Sequence, residues 1–162
     1  MAVEKVKEYF AAHGMADRVM EFSVSSATVE LAAIALGTEA ARIAKSLTFR
    51  GADGVCLMIV TSGDTKIDNS KFKHSFGCKA KMLTADEVLA ETGHAVGGVC
   101  PFALPQNGVE VYLDESMKRF ETVFPACGSA NSAIELDPDS LFRYSGALRW
   151  VDVCKIPEPQ QN

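Results

Sequence analysis

The stretch IAKSLTFRGADGVCLMIV, residues 43–60, decides the architecture. Two runs of apolar and β-branched residues flank Gly51-Ala-Asp-Gly54, which reads as a tight turn. Residues 43–49 and 55–60 are therefore expected to form an antiparallel hairpin. Side chains alternate along a strand. Ile43, Lys45, Leu47 and Phe49 share one face, and Ala44, Ser46 and Thr48 share the other. Lys45 thus falls on the more apolar face. An ammonium there must snorkel, meet a carboxylate or line a cavity, because burying it unpaired is costly.

Outward from this hairpin, strands outnumber helices. Residues 3–13 read as a helix stopped by Gly14, and 18–24 as a strand. Ser25, Ser26 and Thr28 offer caps for a helix through VELAAIAL, closed by Gly37, with a short helical piece at 39–42. A short helix is expected near 69–76, a strand at 79–83, and a helix behind the capping box Thr84-x-x-Glu87. Val109–Leu113 is a strand, and Asp114 caps a short helix. Strands come next at 121–126 and 132–136, then a helix opened by Pro138 and a last strand, LRWVDVCKI. The tail from about 157 to 162 is expected to fray. Hairpin-length connections argue for an α+β fold with a mixed, curled sheet or partly closed barrel flanked by helices. No linker divides the chain, so residues 1–162 read as one domain.

Composition narrows the function. Of 162 residues, 48% are apolar and 23% charged, and the formal charge is −5. That balance is globular rather than disordered. The chain lacks a long apolar run and its N-terminus lacks a signal core, so a cytoplasmic protein without membrane contact is expected. An acidic total argues against a chain that coats nucleic acid nonspecifically, and no DNA partner is expected. Locally the sign reverses. Between Lys66 and Lys81 five lysines stand against Asp68 alone. Lys66, Lys71 and Lys73 are candidate nucleic-acid contacts, although a solvated helix face has the same composition. The five cysteines form no Cys-x-x-Cys pair and read as small core residues. His13, His74 and His94 lack metal-ligand spacing, and no metal or other cofactor is expected.

The segment VGGVCPFALP, residues 96–105, holds two glycines and two prolines. Gly97-Gly98 permits close backbone approach, and Pro101 and Pro105 stiffen the second half of the segment. Such a loop can cradle a carbonyl or an oxyanion with its N–H groups. A cysteine hydrolase pairing Cys100 with His74 or His94 is a rival, but a reactive thiolate needs an adjacent base or a helix N-terminus.

SSATVELAAIALG, then IAKSLTF with its lysine, then GGVCPFALP and the late Gly128 together resemble the YbaK/EbsC and prolyl-tRNA editing family over roughly residues 20–155. The resemblance implies a mixed, barrel-like sheet with outer helices. It also implies trans-editing, the hydrolysis of the ester joining an amino acid to a mischarged tRNA. The partner is then a tRNA acceptor end, with an aminoacyl-tRNA synthetase as a second candidate. Lys45 matches the family's functional lysine. Gly97, Gly98 and Pro101 match its glycine-proline loop, where Gly98 could stabilise the oxyanion and Cys100 would flank substrate. Ser26, Thr28 and Gly128 fall in segments that shape the aminoacyl pocket. Many members carry Gly-x-x-Gly after the 121–126 strand, with a polar residue behind it. Here Asn131 replaces the second glycine and Ala133 falls near the polar position. A non-catalytic module holding an amino acid or a nucleotide end is the alternative function.

Overall fold

The computed structural model describes residues 2–105 and 108–157. In chain order these form α1 (Ala2–Ala11), β1 (Met20–Glu21), α2 (Val29–Leu36), β2 (Ile43–Arg50), β3 (Cys56–Ser62) and β4 (Lys66–Ile67). Next come α3 (Asn69–Phe76), α4 (Ala85–Thr92), β5 (Val109–Asp114), β6 (Phe124–Pro125) and β7 (Ser132–Ala133). The described chain ends with α5 (Pro138–Ser145), β8 (Arg149–Val151) and β9 (Cys154–Lys155). Three 3₁₀ turns, at Ala16–Arg18, Ala40–Arg42 and Glu115–Arg119, bridge some of these elements. The fold is α+β.

The expected hairpin forms. β2 and β3 pair antiparallel from Ala44↔Ser62 to Arg50↔Cys56 around the glycine turn. They are the middle of a five-stranded mixed sheet with order β6-β2-β3-β5-β8, in which the other pairings are parallel. Both faces of β2 are covered, Ala44 packing in one core and Phe49 in the other. Ala44 and Thr48 are as buried as Ile43 and Phe49, so the contrast between faces expected from the sequence is weaker in the fold.

One sheet face supplies Met58, Val60, Val111 and Leu113 to a core closed by Phe10 of α1, Phe102 and Leu141 of α5. The other supplies Phe49, Leu57, Ile59 and Tyr112, against which α3 seats Phe72, its ring 4.9 Å from that of Phe49. Each such fully buried side chain contributes about 1.5–3 kcal/mol. These layers hold the hairpin rigid from both sides.

Five expected strands differ from the sequence reading. Residues 79–83 make only an isolated bridge, Phe49↔Met82, because the capping box at Thr84 turns the chain into α4 immediately afterwards. The strand expected over 18–24 shrinks to β1, with a 3₁₀ turn before it. The strands expected at 121–126 and 132–136 shrink to β6 and β7, with a Val123↔Leu136 bridge between their flanks. LRWVDVCKI splits into β8 and β9. Val153 N–H turns away to donate to Asp114 Oδ1 at 3.0 Å, which lets β9 pair with β4 instead. Residues 158–162 of the tail lie outside the described residues, as do residues 106–107.

The end of β2 is tied to α4 by charge. Arg50 pairs with Glu87 at 2.8 Å and also with Glu91. The Glu87 carboxyl is held down to about 2, first by the Thr84 N–H it accepts in the capping box and then by Arg50. A carboxyl lowered from 4.5 in this way adds stability that is complete above about 4.5 and is lost as pH falls through about 2. Urea unfolding at stepped pH should therefore show Glu87→Gln losing less stability than the wild type between those limits. Parallel pH profiles for the two proteins would rule out this tie.

Candidate active site

The segment 25–28, the strand β2, the loop 96–99 and the segment 124–133 meet around a cavity of about 470 Å³. The sequence brings them together through backbone contacts. Ser26 N–H donates to the Ala130 carbonyl at 2.6 Å. Phe22 N–H donates to the Asn131 carbonyl at 2.8 Å, and Asn131 Nδ2 returns a bond to the Phe22 carbonyl at 2.9 Å. The departure at Asn131 thus has a structural use, since its amide pins the strand that leads into the 25–28 segment.

Gly97 has φ +99°, and a Cβ there would lie 3.3 Å from Ala27 Cβ. At Gly98 a Cβ would fall 2.6 Å from Ser129 N and 2.7 Å from Gly128 C. Gly98 lets the loop touch the 128–129 backbone, and Gly97 lets it close onto the Ala27 side chain. Gly98 is therefore a packing residue. Its N–H donates to the Ala95 carbonyl at 3.0 Å, so the oxyanion role expected for it is taken from it by the turn.

Lys45 lines the cavity, half-buried. Its Nζ donates to the Gly63 carbonyl at 3.3 Å and to the Thr65 carbonyl. Among the described residues no carboxylate forms an ion pair with it. Of the three options open to this lysine, the fold takes the third, lining a cavity, with main-chain carbonyls in place of an acid. Burial lowers its pKa below the usual lysine value. The carbonyl anchor depends on Gly63, where a Cβ would fall 2.2 Å from the Ala40 carbonyl oxygen.

Ser26, Thr28 and Gly97 also line the cavity, beside Lys45. Ser26 is buried and its Oγ has no partner, while Thr28 Oγ1 caps α2 by accepting from Leu31 N–H at 3.2 Å. Cys100, Pro101 and Gly128 stand behind the wall rather than in it. Cys100 is fully buried, its Sγ 3.5 Å from His94 Nε2, and burial pushes its thiol up to about 12. His94 is itself buried, with its pKa lowered by burial, and its Nε2 faces the Phe102 carbonyl at 2.8 Å. A neutral thiol beside a neutral imidazole in the core is not a nucleophile–base pair. Gly128, at φ +92°, packs against Ala2.

The lysine patch is uneven. Lys66 and Lys73 are exposed, and Lys66 is close enough for its charge to act on Lys45. Lys71 is occupied by Asp152 at 2.9 Å and the Cys154 carbonyl at 3.2 Å, so it serves the fold rather than a free surface.

Sequence reasoning missed the apolar wall, to which Ile43, Phe124, Ala126, Val88 and Met82 contribute from distant elements. It also missed Ser46, whose only signal was its place beside Lys45.

The aminoacyl-tRNA editing domain family matches this chain over residues 24–144. The chain belongs to that family. It is 54% identical over 155 residues to the uncharacterized protein YwhH of Bacillus subtilis (strain 168), covering 96% of this chain and 98% of that one. It is 31% identical over 122 residues to the proline–tRNA ligase of Pelobacter propionicus, covering 72% of this chain and 21% of the ligase. A crystal structure of a candidate trans-editing enzyme for prolyl-tRNA synthetase superposes with a TM-score of 0.84 at 29% identity, covering 95% of this chain and 97% of that one.

Two outcomes test this placement of residues. Gly98→Ala should cost about 1–3 kcal/mol of stability in thermal or urea unfolding, because its contact is backbone and cannot rotate away. Iodoacetamide on the native protein should label Cys78, the only cysteine that is not buried, and leave Cys100 untouched. Fast labelling of Cys100 would contradict its burial.

Proposed function

We propose that this chain hydrolyses the ester linking an amino acid to the 3′ end of a mischarged tRNA, acting in trans as a single cytoplasmic domain beside an aminoacyl-tRNA synthetase. The observation that carries this is Lys45. Among the described residues it is the only titratable side chain in the wall of an otherwise apolar and hydroxyl-lined cavity. Its ammonium is held by carbonyls, and the Asp64 and Glu30 charges act on it without pairing to it, so it can still meet an anionic ligand; a tRNA end carries phosphate next to its aminoacyl ester. Family membership and the likeness to the trans-editing candidate support the same reading.

In this mechanism water adds to the ester carbonyl carbon. The bond to the ribose oxygen breaks, and that oxygen takes a proton. An ester is already activated, so positioning and charge stabilisation supply most of the barrier reduction. Lys45 binds the terminal phosphate and orients the ester. No carboxylate or imidazole among the described lining residues is placed to take the proton of water, so a ribose hydroxyl of the substrate serves as the relay. That same feature suits a second reading, a non-catalytic module that holds an amino acid or a nucleotide end. Release of free amino acid separates the two.

A panel of mischarged tRNAs is the deciding assay. Lys45→Ala should lower kcat/KM by about 100-fold or more, the scale of losing one charge-stabilising group, with little change in Tm. Unchanged turnover would remove Lys45 from the mechanism. Because burial lowers its pKa, wild-type kcat/KM should fall on the alkaline limb at a pH below 10.5.

Binding of tRNA should be weak and should decline with salt. Lys66→Ala and Lys73→Ala should each flatten that dependence by about one unit of log–log slope. Lys71→Ala should chiefly lower stability.

A further inference from the structure

β2 is paired to β3 from Ala44 to Arg50, but its other edge is interrupted. On that side the pairing to β6 ends at Ala44↔Pro125. Pairing resumes only where Leu83 N–H donates to the Thr48 carbonyl at 3.1 Å and Arg50 N–H to the Lys81 carbonyl at 2.9 Å. Main-chain groups of alternate residues point to opposite edges of a strand. Thr48 and Arg50 point away from β3, so Ser46 does too. No main-chain partner of Ser46 exists on that side among the described residues. Ser46 lines the cavity and is partly exposed, yet its Oγ is buried and unpartnered. What it shows to the cavity is therefore its main chain and Cβ. A donor and an acceptor stand side by side on an apolar wall, next to Lys45.

An aminoacyl group is one residue of backbone. Laid antiparallel against a strand edge, it can exchange two bonds with the residue opposite, as in a hydrogen-bonded strand pair. We infer that the Ser46 main chain reads the aminoacyl group, its N–H donating to the ester carbonyl oxygen and its C=O accepting from the α-amino group. Ser46 N–H then supplies the oxyanion donor that Gly98 cannot. This rests on the proposed deacylase function and adds a substrate requirement to it, a free α-amino group. Side chains opposite each other in such a pair share a face, so the amino-acid side chain lies beside those of Ser46, Ala44 and Thr48.

The test compares tRNAs carrying alanyl, N-acetylalanyl and propionyl esters, each rate divided by that ester's spontaneous hydrolysis. The alanyl ester should be cleaved at least about 10-fold faster than either analogue, the scale of a lost charge-assisted hydrogen bond. Ser46→Pro removes the N–H without entering the β3 ladder, which uses Lys45 and Leu47, and should lower kcat/KM by about 100-fold. Equal corrected rates for the three esters would overturn the Ser46 assignment and leave the deacylase reading standing. If the wild type cleaves none of a wider panel, the deacylase reading falls. The Ser46 amide resonance on adding 3′-alanylamino-3′-deoxyadenosine then decides this inference. A shift absent with the N-acetyl form supports it, and no shift with either form overturns it.

Discussion

The grip of two main-chain carbonyls on the Lys45 ammonium is the interaction around which the site is organised. A lysine on an internal strand needs compensation for lost hydration, and a carboxylate would have supplied it at the cost of cancelling the charge. The carbonyls of Gly63 and Thr65 solvate the cation and leave it a cation. Their position is set by the hairpin, because β3 delivers the chain past Lys45's own partner, Thr61, and turns at Gly63. That turn must run against the Ala40 carbonyl. The junction between α2 and β2, the hairpin register and the charge in the cavity are consequently one geometric problem with a single solution.

The cavity itself is a by-product of incomplete pairing. If β6 continued along β2, or if the chain at Lys81–Leu83 extended further, the sheet would close and Lys45 would face packed side chains. β6 ends at Pro125 and α4 begins just after Leu83, so both neighbours stop short. The Arg50 ion pairs hold α4 where it bounds the gap, and the glycine contacts at Gly97 and Gly98 hold the loop on the opposite side. Secondary-structure boundaries, which look like local matters of capping and proline, set the size of the opening.

Much of this was legible in the chain. The hairpin, the helix caps and the odd cation at Lys45 each leave a local signature, namely period two, Thr84-x-x-Glu87, and a charged residue in an apolar phase. Ser26, Thr28 and Gly97, which the family resemblance singles out, line the cavity. What could not be read was orientation. Cys100 and Gly98 share a loop with Gly97, yet one points into the core and the other spends its N–H on Ala95, and neither fact has a sequence mark. Lys71 looks like Lys73 until Asp152 arrives from 81 residues away. Shrunken strands such as β1 and β7 also escape, since apolar content predicts extended chain but not whether a partner is in register.

The interrupted edge of β2 bears on how the protein survives in solution. Unpaired main-chain donors and acceptors on an apolar strand normally invite another chain to add itself, the route to swapped and aggregated states. Here the unpaired run is bounded by Pro125 on one side and by the Lys81–Leu83 segment on the other. An incoming strand would collide with both before it formed a ladder. The opening is long enough for a ligand and too short for a polymer, so the fold can keep an unsatisfied strand edge without becoming a template.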